Sequence, residues 1–408
     1  MQVAVIGGGA SGMMAAIAAA EAGAATVLYE RNDRVGKKLL STGNGKCNFS
    51  NRQLSADCYY VKDSEKLMHI LHEFGTEQAV DFFEAAGMVV KEKNGGLYPF
   101  SEQASTVLDI LRSQLRRQGV LVKTDAYVTK IERTKDQKFI VHTKTNTLIF
   151  DRVILSCGSM AAPKTGSDGN GYQLAQFLGH SLVPVVPALV QIKCRDDFIK
   201  AVAGVRQEAC VKLLSNGKML AKEKGEVQFT DYGISGIVTF QLSRLAAYAL
   251  RKKEHVTVLL DFFPEYTDDL YDTLVTKRKA NADPMSSLEE FFTGMLNKKL
   301  MLLLIRLAGM SAKEIYGQTK QEGIDRVFAL CRSFTLTVSG VNSFEQAQVC
   351  AGGVPLSEIT ECLQSKLVKG LYLTGELLDV DGKCGGYNLQ WAWASGYLAG
   401  RHAAEDSL

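Results

Sequence analysis

The segment from Gln2 to Arg31 constrains the fold of this chain more than any other stretch. It begins with an apolar run, Val3–Ile6, that is typical of a buried parallel strand. Glycines follow directly in the spacing G-x-G-x-x-G, and an Ala-rich helix is predicted from about Ser11 to Ala22. A second strand is predicted over Ala25–Tyr29. This order of elements indicates a βαβ unit that binds a dinucleotide.

Each glycine of the turn has a separate physical role in such a site. Gly7 permits the tight turn, Gly9 lets a pyrophosphate approach the backbone, and Gly12 lets the helix pack closely on the strand. Ala10 and Ser11 lie at the start of the helix, where free amides and the positive end of the helix dipole face the phosphates. We therefore predict that these five residues contact the cofactor.

The acid at the end of the second strand narrows the choice of dinucleotide. Glu30 is placed to accept hydrogen bonds from the hydroxyls of an adenosine ribose. This position favours a free 2′-hydroxyl, and hence FAD or NAD over NADP. Arg31 follows it directly and blurs this preference, because an arginine here can accommodate a 2′-phosphate. We include both residues among the predicted cofactor contacts.

Composition excludes some functions and indicates a compartment. The 408 residues allow two or three domains, and 47 basic against 44 acidic residues give a formal charge of +3, which offers no electrostatic case for nucleic acid. The first strand leaves no room for a signal peptide, and no apolar run is long enough to cross a membrane. Nine cysteines, with no C-x-x-C pair, indicate free thiols in a reducing cytoplasm.

The segment Arg34–Asn51, RVGKKLLSTGNGKCNFSN, is too polar and glycine-rich for a core element. One interpretation is a surface loop. The other is a loop whose backbone amides and lysine head groups contact the phosphates and the flavin. On the second interpretation, the candidate cofactor contacts are Lys38, Leu39, Thr42, Asn44, Gly45, Cys47 and Asn48.

This segment resembles the corresponding block of the BaiN/YhiN-like flavoprotein family. The resemblance continues nearly end to end, through PALVQI at Pro187–Ile192, FTDYGISG at Phe229–Gly236, AGGVPLSEI at Ala351–Ile359 and LTGELLDVDGKCGGYNLQWAWASGYLAG at Leu373–Gly400. It implies an FAD-dependent oxidoreductase. One branch of the family reduces steroid C=C bonds in bile-acid intermediates.

The resemblance also implies further cofactor contacts. Val128 would offer its backbone to the adenine. Cys157 and Gly158 would end the second nucleotide-contacting strand, although family members usually have Ala-Thr-Gly-Gly where this chain has Ser-Cys-Gly-Ser. Gly375-Glu376 occupies the place where many flavoproteins have Gly-Asp, whose acid binds the ribityl chain. The helix start would direct its positive end at the flavin, with Gly386, Asn388 and Leu389 as contacts.

We predict an α/β fold of the two-dinucleotide flavoprotein type. A discontinuous Rossmann-like FAD-binding domain covers 1–187 and 340–408, a β-barrel-like insert covers 188–263 and 319–339, and a helical subdomain covers 264–318. Four short β-rich runs, at 120–124, 126–133, 139–143 and 148–150, are predicted to form a small antiparallel layer. The insert either covers the substrate or is a purely structural cap. With one G-x-G-x-x-G only, NAD(P)H is predicted to bind transiently as a hydride donor.

The predicted chemistry is hydride transfer through non-covalent FAD, used to reduce an activated C=C bond of a hydrophobic small molecule. Tyr387 and Cys384 are the candidate proton donors. An amine or alcohol oxidase that produces hydrogen peroxide and a non-redox protein of RNA modification remain alternatives. We expect a small-molecule substrate, no nucleic-acid partner, no membrane span and no metal. His69 and His72 are expected to face solvent, and the oligomeric state stays open.

Overall fold

The computed structural model describes residues 1–405 and divides into two compact units. The first consists of Met1–Val186 and Gln348–Leu408, and the second of Pro187–Ala347. In chain order the strands are β1 (Gln2–Ile6), β2 (Ala25–Tyr29), β3 (Ser50–Asn51), β4 (Tyr59–Tyr60), β5 (Val90–Lys93), β6 (Gly96–Pro99), β7 (Leu121–Lys123), β8 (Val128–Arg133), β9 (Phe139–Thr143), β10 (Thr147–Phe150), β11 (Arg152–Leu155), β12 (Val183–Ala188), β13 (Ile192–Cys194), β14 (Arg206–Ser215), β15 (Lys218–Phe229), β16 (Gly233–Ser235), β17 (Val256–Asp261), β18 (Phe334–Val341), β19 (Val349–Gly353), β20 (Leu371–Leu373) and β21 (Asp381–Gly382). The helices are α1 (Ala10–Glu21), α2 (Ser64–Glu73), α3 (Thr76–Ala85), α4 (Ala104–Arg117), α5 (Asn170–Phe177), α6 (Ile237–Arg251), α7 (Asp268–Ala280), α8 (Leu288–Phe292), α9 (Lys298–Leu307), α10 (Gln321–Arg332) and α11 (Tyr387–Glu405).

A five-stranded parallel sheet of order β20-β11-β1-β2-β7 forms the centre of the first unit. Val3, Ala4 and Val5 of β1 are completely buried, as expected for a central strand covered on both faces. Strand β20 comes from the far end of the chain, so the Rossmann-type unit is discontinuous, as predicted. The α/β fold class is confirmed.

The predicted place of β7 in the antiparallel layer is wrong. Leu121 pairs in parallel with Val27, which makes β7 the edge strand of the central sheet. Its short apolar run is half exposed, with Leu121 54% exposed, and such a run carries no signal for its pairing partner. The other three β-rich runs do form an antiparallel sheet, of order β10-β9-β8.

Helix α1 packs against α11 with their backbones in direct contact. A Cβ added at Gly396 would lie 2.3 Å from the carbonyl oxygen of Ser11, and one at Gly400 would lie 2.2 Å from that of Ala15. The two glycines are four residues apart and share one helix face, so α11 approaches the Ala-rich face of α1 closely. The interface holds the last helix of the chain against the first.

The two tryptophans of α11 fix it to more distant segments. Trp391 donates from Nε1 to the carbonyl oxygen of Gly375 at 3.0 Å, and Trp393 donates to that of Phe49 at 2.9 Å. Both rings are almost fully buried, and Trp393 packs edge-on against Phe83 at 5.3 Å. Burial with a satisfied N–H is the favourable way to place this side chain in a core. The helix thus connects β20 to the loop after residue 48.

The second unit is built around a closed six-stranded barrel of order β13-β16-β15-β14-β17-β18. The predicted barrel-like insert and the helical character of 264–318 are confirmed, the latter by α7, α8 and α9. The segments predicted to form the insert also contain two helices, α6 and α10, which the sequence analysis does not predict. Their buried residues recur at helical spacing, as with Ile324, Val327, Phe328 and Cys331 of α10. The β-rich signal of the flanking strands obscured this pattern.

Candidate functional site

The first glycine turn has the geometry of an anion cradle. Gly7 has φ +107°, and a Cβ there would lie 2.4 Å from the carbonyl oxygen of Ser156. A Cβ at Gly12 would lie 1.8 Å from the oxygen of Gly7, so only glycine lets α1 begin this close to the turn. A Cβ at Gly9 would meet nothing within 4 Å. No side chain caps α1 and no acid lies in its first turn, so the amides of Ala10 and Ser11 can face a phosphate.

Glu30 lies at the end of β2, and its side chain is organised by the backbone around it. Its carboxylate accepts hydrogen bonds from the Gly8 amide at 3.0 Å and from the Asn32 amide and Nδ2 at 2.8 Å. The residue is 7% exposed, and this burial raises the pKa of the carboxyl, although the hydrogen bonds partly offset the effect. The sequence placed Glu30 here but missed Asn32.

Arg31 lies beside this acid and is already engaged by other side chains. Its guanidinium forms an ion pair with Asp168, and its carbon Cζ lies 5.0 Å from the ring centroid of Tyr127. The next residue, Val128, is buried, and its carbonyl oxygen accepts a hydrogen bond from Asn170 Nδ2 at 3.0 Å. The predicted adenine-contacting strand therefore lies against the start of α5.

Cys157 and Gly158 follow β11 and face the first glycine turn. The Cys157 thiol donates to the carbonyl oxygen of Ile6 at 3.4 Å. Burial, with a smaller contribution from the carboxylates of Asp168 and Glu30, raises the pKa of this thiol to about 12. Gly158 has φ +72°, which lets the chain turn back toward Ser167. The Ser-Cys-Gly-Ser sequence thus keeps the turn that the family's usual sequence would make.

Gly375 and Glu376 lie beside the start of α1. A Cβ at Gly375, where φ is +63°, would lie 2.6 Å from Ser11 Oγ. Lys38 Nζ and Ser159 Oγ both donate to Glu376 Oε2, each at 2.7 Å. Within residues 1–405, Oε1 of this carboxylate has no hydrogen-bond partner, and the side chain is 19% exposed. One oxygen is therefore fixed and the other can accept from a ligand hydroxyl.

The loop after residue 37 forms a 3-10 helix, Lys38–Gly45, that is interrupted at residues 42–44. Thr42 Oγ1 donates to the carbonyl oxygen of Leu39, while Gly43 and Asn44 adopt left-handed conformations. Leu39 and Cys47 are buried, whereas Gly45 borders open space. Burial raises the pKa of the Cys47 thiol to about 12. This places Cys47 in the core rather than at a reactive surface.

The loop before α11 packs on the residues that follow Cys47. A Cβ at Gly386, where φ is +96°, would lie 2.5 Å from the carbonyl oxygen of Ser50 and 2.8 Å from Asn48 Oδ1. Asn388 closes the loop, since its Oδ1 accepts from the Gly382 amide and its Nδ2 donates to the Gly382 oxygen, both at 2.8 Å. Leu389 is half-buried in the first turn of the helix. The two predicted flavin-contacting loops therefore meet.

The candidate proton donors lie in this same loop. Tyr387 is 8% exposed and packs edge-on against Tyr59, with ring centroids 5.9 Å apart. Burial, together with the neighbouring Cys58, raises the pKa of the Tyr387 hydroxyl above its ordinary value. Such surroundings are compatible with two roles for Tyr387, as a proton donor and as a residue that only packs. Cys384 is half-buried.

Residues 1–402 match the model of the HI0933-like protein Rossmann domain. The chain belongs to the HI0933-like family.

Named relatives of this HI0933-like chain differ in their substrates. A 3-dehydro-bile acid delta(4,6)-reductase of Clostridium scindens is 42% identical over 411 residues, covering 99% of each chain. A ribosomal RNA dihydrouridine synthase of Haemophilus influenzae is 26% identical over 399 residues, covering 96% of each chain. The solved structure of 3-ketosteroid delta1-dehydrogenase from Sterolibacterium denitrificans matches with a TM-score of 0.50 at 13% identity, over 98% of this chain and 99% of that one. At that identity the likeness shows a shared fold.

The residues of the HI0933-like chain fit an FAD molecule. A phosphate can approach the open space at Gly9 and accept hydrogen bonds from the uncapped amides of α1. A ligand hydroxyl can donate to the free Oε1 of Glu376. Asn48 Oδ1 is buried and has no hydrogen-bond partner among residues 1–405, so it too can receive one from a ligand. The assignment of individual residues to parts of FAD stays a prediction.

Four residues of the site carried no signal in the sequence. Ser159 and Asp168 act through partners far away in the chain, Asn32 binds both Glu30 and the carbonyl oxygen of Thr165, and Ser395 Oγ accepts from the Gly375 amide at 2.9 Å. Of the four, Asp168 alone lies in a recognisable sequence pattern, the glycine-rich stretch before α5. The other three are ordinary small polar residues whose role depends on the fold.

Two predicted absences concern metal and membrane. Residues 1–405 contain no group of three His, Cys, Asp or Glu side chains that could hold a metal ion. His72 is exposed, and Nε2 of the exposed His69 lies 3.6 Å from Glu361 Oε2. Within the same range, no helix combines the length and apolar character needed to cross a bilayer.

Proposed function

We propose that this chain is an FAD-dependent oxidoreductase that reduces a C=C bond conjugated to a carbonyl group in a hydrophobic small molecule of the 3-oxo steroid or bile-acid class. The observation that carries the proposal is the 42% identity to a 3-dehydro-bile acid delta(4,6)-reductase along 99% of both chains. The free acceptors and uncapped amides of the site support it.

Bound FAD would supply hydride transfer, and the chain would supply binding, orientation and a proton. The amides at the start of α1 would hold the pyrophosphate, and Glu30 the adenosine ribose. Glu376, fixed by Lys38 and Ser159, would accept a hydrogen bond from the ribityl chain. The start of α11 would direct its positive end at the flavin.

Reduction of an enone needs a proton at the carbon next to the carbonyl group. Tyr387 and Cys384 stay the candidates. Tyr387→Phe tests the first, because it removes the hydroxyl and keeps the ring that packs on Tyr59. If Tyr387 is the donor, turnover falls by about 100-fold or more while FAD binding is kept. If it only packs, the variant retains near-normal turnover.

The proposed hydride donor is NADH or NADPH, bound transiently before the substrate. The single G-x-G-x-x-G supports this, because a second dinucleotide would have no dedicated fold. Initial rates against both substrates should then give parallel lines in a double-reciprocal plot. Intersecting lines would mean a stable ternary complex and contradict the shared binding space.

The decisive experiment is anaerobic reduction of the purified protein with NADH and with NADPH, followed by addition of a 3-oxo-Δ4 bile acid. The proposal expects bleaching of the flavin, reoxidation by the enone and a product heavier by two hydrogens. In a separate assay with oxygen present, hydrogen peroxide formed from an amine or alcohol, together with no flavin reduction by NADH or NADPH, would instead identify the oxidase.

RNA is the second candidate substrate, and the 26% identity to ribosomal RNA dihydrouridine synthases favours it. Making dihydrouridine also saturates a C=C bond beside a carbonyl group, so both candidates share one reaction class. The near-neutral charge of +3 weighs against a large RNA partner. Incubation of the reduced protein with ribosomal RNA from a strain that lacks this chain, followed by nucleoside mass spectrometry, separates the two.

A further inference from the structure

The guanidinium of Arg31 is already bound by neighbouring side chains and is not free to bind a ligand. Its guanidinium is paired with Asp168 and lies over the ring of Tyr127. The pair is only about one third exposed, at 37% for Arg31 and 33% for Asp168. A partly buried ion pair whose cation also contacts an aromatic ring is held more firmly than an ion pair at an open surface.

Asp168 and Glu30 face the same small region. Both carboxylates act on the Cys157 thiol, and a Cβ added at Gly166 would lie 2.5 Å from Asn32 Nδ2 and 3.7 Å from Glu30 Oε1. Asn32 Nδ2 also donates to the carbonyl oxygen of Thr165 at 3.0 Å. The segment that carries Asp168 is therefore tied to the end of β2, where Glu30 is placed to meet a ribose.

We propose that Asp168 is the residue that makes this site select an adenosine with a free 2′-hydroxyl. By pairing with Arg31 it occupies the guanidinium next to Glu30, a group that could otherwise bind a 2′-phosphate, and it adds a second negative charge to the same region. A 2′-phosphate would meet two carboxylates and a cation already neutralised, whereas a hydroxyl would meet acceptors. The inference rests on the dinucleotide site of the proposed function and concerns only its adenosine end.

The test compares two probes that differ only in the 2′-phosphate, adenosine 5′-monophosphate and adenosine 2′,5′-bisphosphate. Each is titrated by calorimetry into the full-length protein after removal of flavin, for wild type and for Asp168→Asn. Asp33→Asn is the matched control, because it removes a carboxylate that pairs with Lys37 at 2.7 Å but is 64% exposed. Wild type should prefer the 5′-monophosphate.

Asp168→Asn should reduce that preference by about tenfold, as expected for one partly screened unit charge a few ångströms away. Asp33→Asn should leave it unchanged. Arg31→Ala should increase the preference, because it leaves both carboxylates without their cation. A merely structural role for the pair would weaken both probes equally in Asp168→Asn and leave their ratio at the wild-type value, which would overturn the inference.

The two levels of failure are distinguishable. Strong binding of the 5′-monophosphate with an unchanged ratio in both variants would overturn the role of Asp168 and leave the proposed function standing. Failure of the wild-type protein to bind either nucleotide or FAD would overturn the dinucleotide site and the inference together. The ratio is read without turnover, so the result does not depend on the identity of the reduced substrate.

Discussion

Replacing Glu30 with alanine tests the dinucleotide site at a buried acid. The carboxylate has two sets of hydrogen-bond partners, one in the protein and one proposed in FAD. In the protein it accepts from the Gly8 amide and twice from Asn32, at 2.8 to 3.0 Å. Toward FAD it is proposed to accept from the ribose hydroxyls. Glu30→Ala removes both sets, so we expect two separate losses that can be measured separately.

The magnitudes follow from the number and kind of hydrogen bonds. Losing a charge-assisted pair to the ribose should cost about 1.5–3 kcal/mol of FAD binding, or roughly 10- to 150-fold in Kd. The unfolding free energy of the flavin-free protein should fall by about 1–3 kcal/mol, because the Gly8 and Asn32 amides lose their acceptor in a site that is 7% exposed. The free energy of unfolding of the flavin-bound protein should fall by the sum of these two losses.

FAD affinity is measured by quenching of flavin fluorescence, and stability by urea unfolding of the flavin-free protein. Glu358→Ala is the matched control, because this carboxylate accepts from His180 Nδ1 at 2.7 Å and from the Ser181 amide at 3.1 Å but touches none of the predicted cofactor residues. It should lose stability and keep FAD affinity. An unchanged FAD affinity in Glu30→Ala would refute the assignment of this acid.

Three further predictions follow from the same contacts. FAD should be released into the supernatant by acid, because Cys47 is completely buried with a thiol pKa near 12; flavin in the precipitate would contradict this. Gly386→Val should slow both half-reactions in stopped flow and lower stability, since any Cβ there meets the Ser50 carbonyl at 2.5 Å. Glu358 should stabilise the protein above pH 5 and stop doing so as the pH falls through its lowered folded pKa: burial raises the pKa, but hydrogen bonds from Ser181 and His180 outweigh it. Urea unfolding at pH 3 and 7 should therefore show a smaller effect of Glu358→Gln at pH 3.

The parts of the fold that the sequence predicts well are those whose signal is local. Strand β1, the glycine turn, α1, β2 and Glu30 lie within thirty residues, and each glycine has a conformational or steric reason that the spacing already expresses. Gly7 has the positive φ of the tight turn and Gly12 lies against the Gly7 carbonyl oxygen, while the role of Gly9 toward a pyrophosphate stays a prediction. In a βαβ unit of this kind, the spacing of the residues along the chain determines most of the local structure.

What the sequence could not give depends on pairing between distant segments. The apolar run of β7 is compatible with either sheet, and only the position of β2 beside it decides. Helices α6 and α10 lie between strands of the barrel, and the predicted β-barrel-like insert does not separate them from these strands. Asp168 is recognisable only once its loop reaches Arg31. These errors concern which distant segments pack together, and the residues of a single segment do not determine that.

The same reasoning explains why this site needs nearly the whole length of its unit. Its predicted contacts come from residues 7–12, 30–48, 128, 157–158 and 375–389, and none of these segments could hold FAD alone. Two glycines of α11 bring the last segment to the first, because only they allow its backbone to meet the carbonyls of Ser11 and Ala15. Gly375 then lies on Ser11, and Glu376 lies within reach of Lys38. The close packing of α1 on α11 is therefore a condition for assembling the site, although neither glycine is proposed to touch the cofactor.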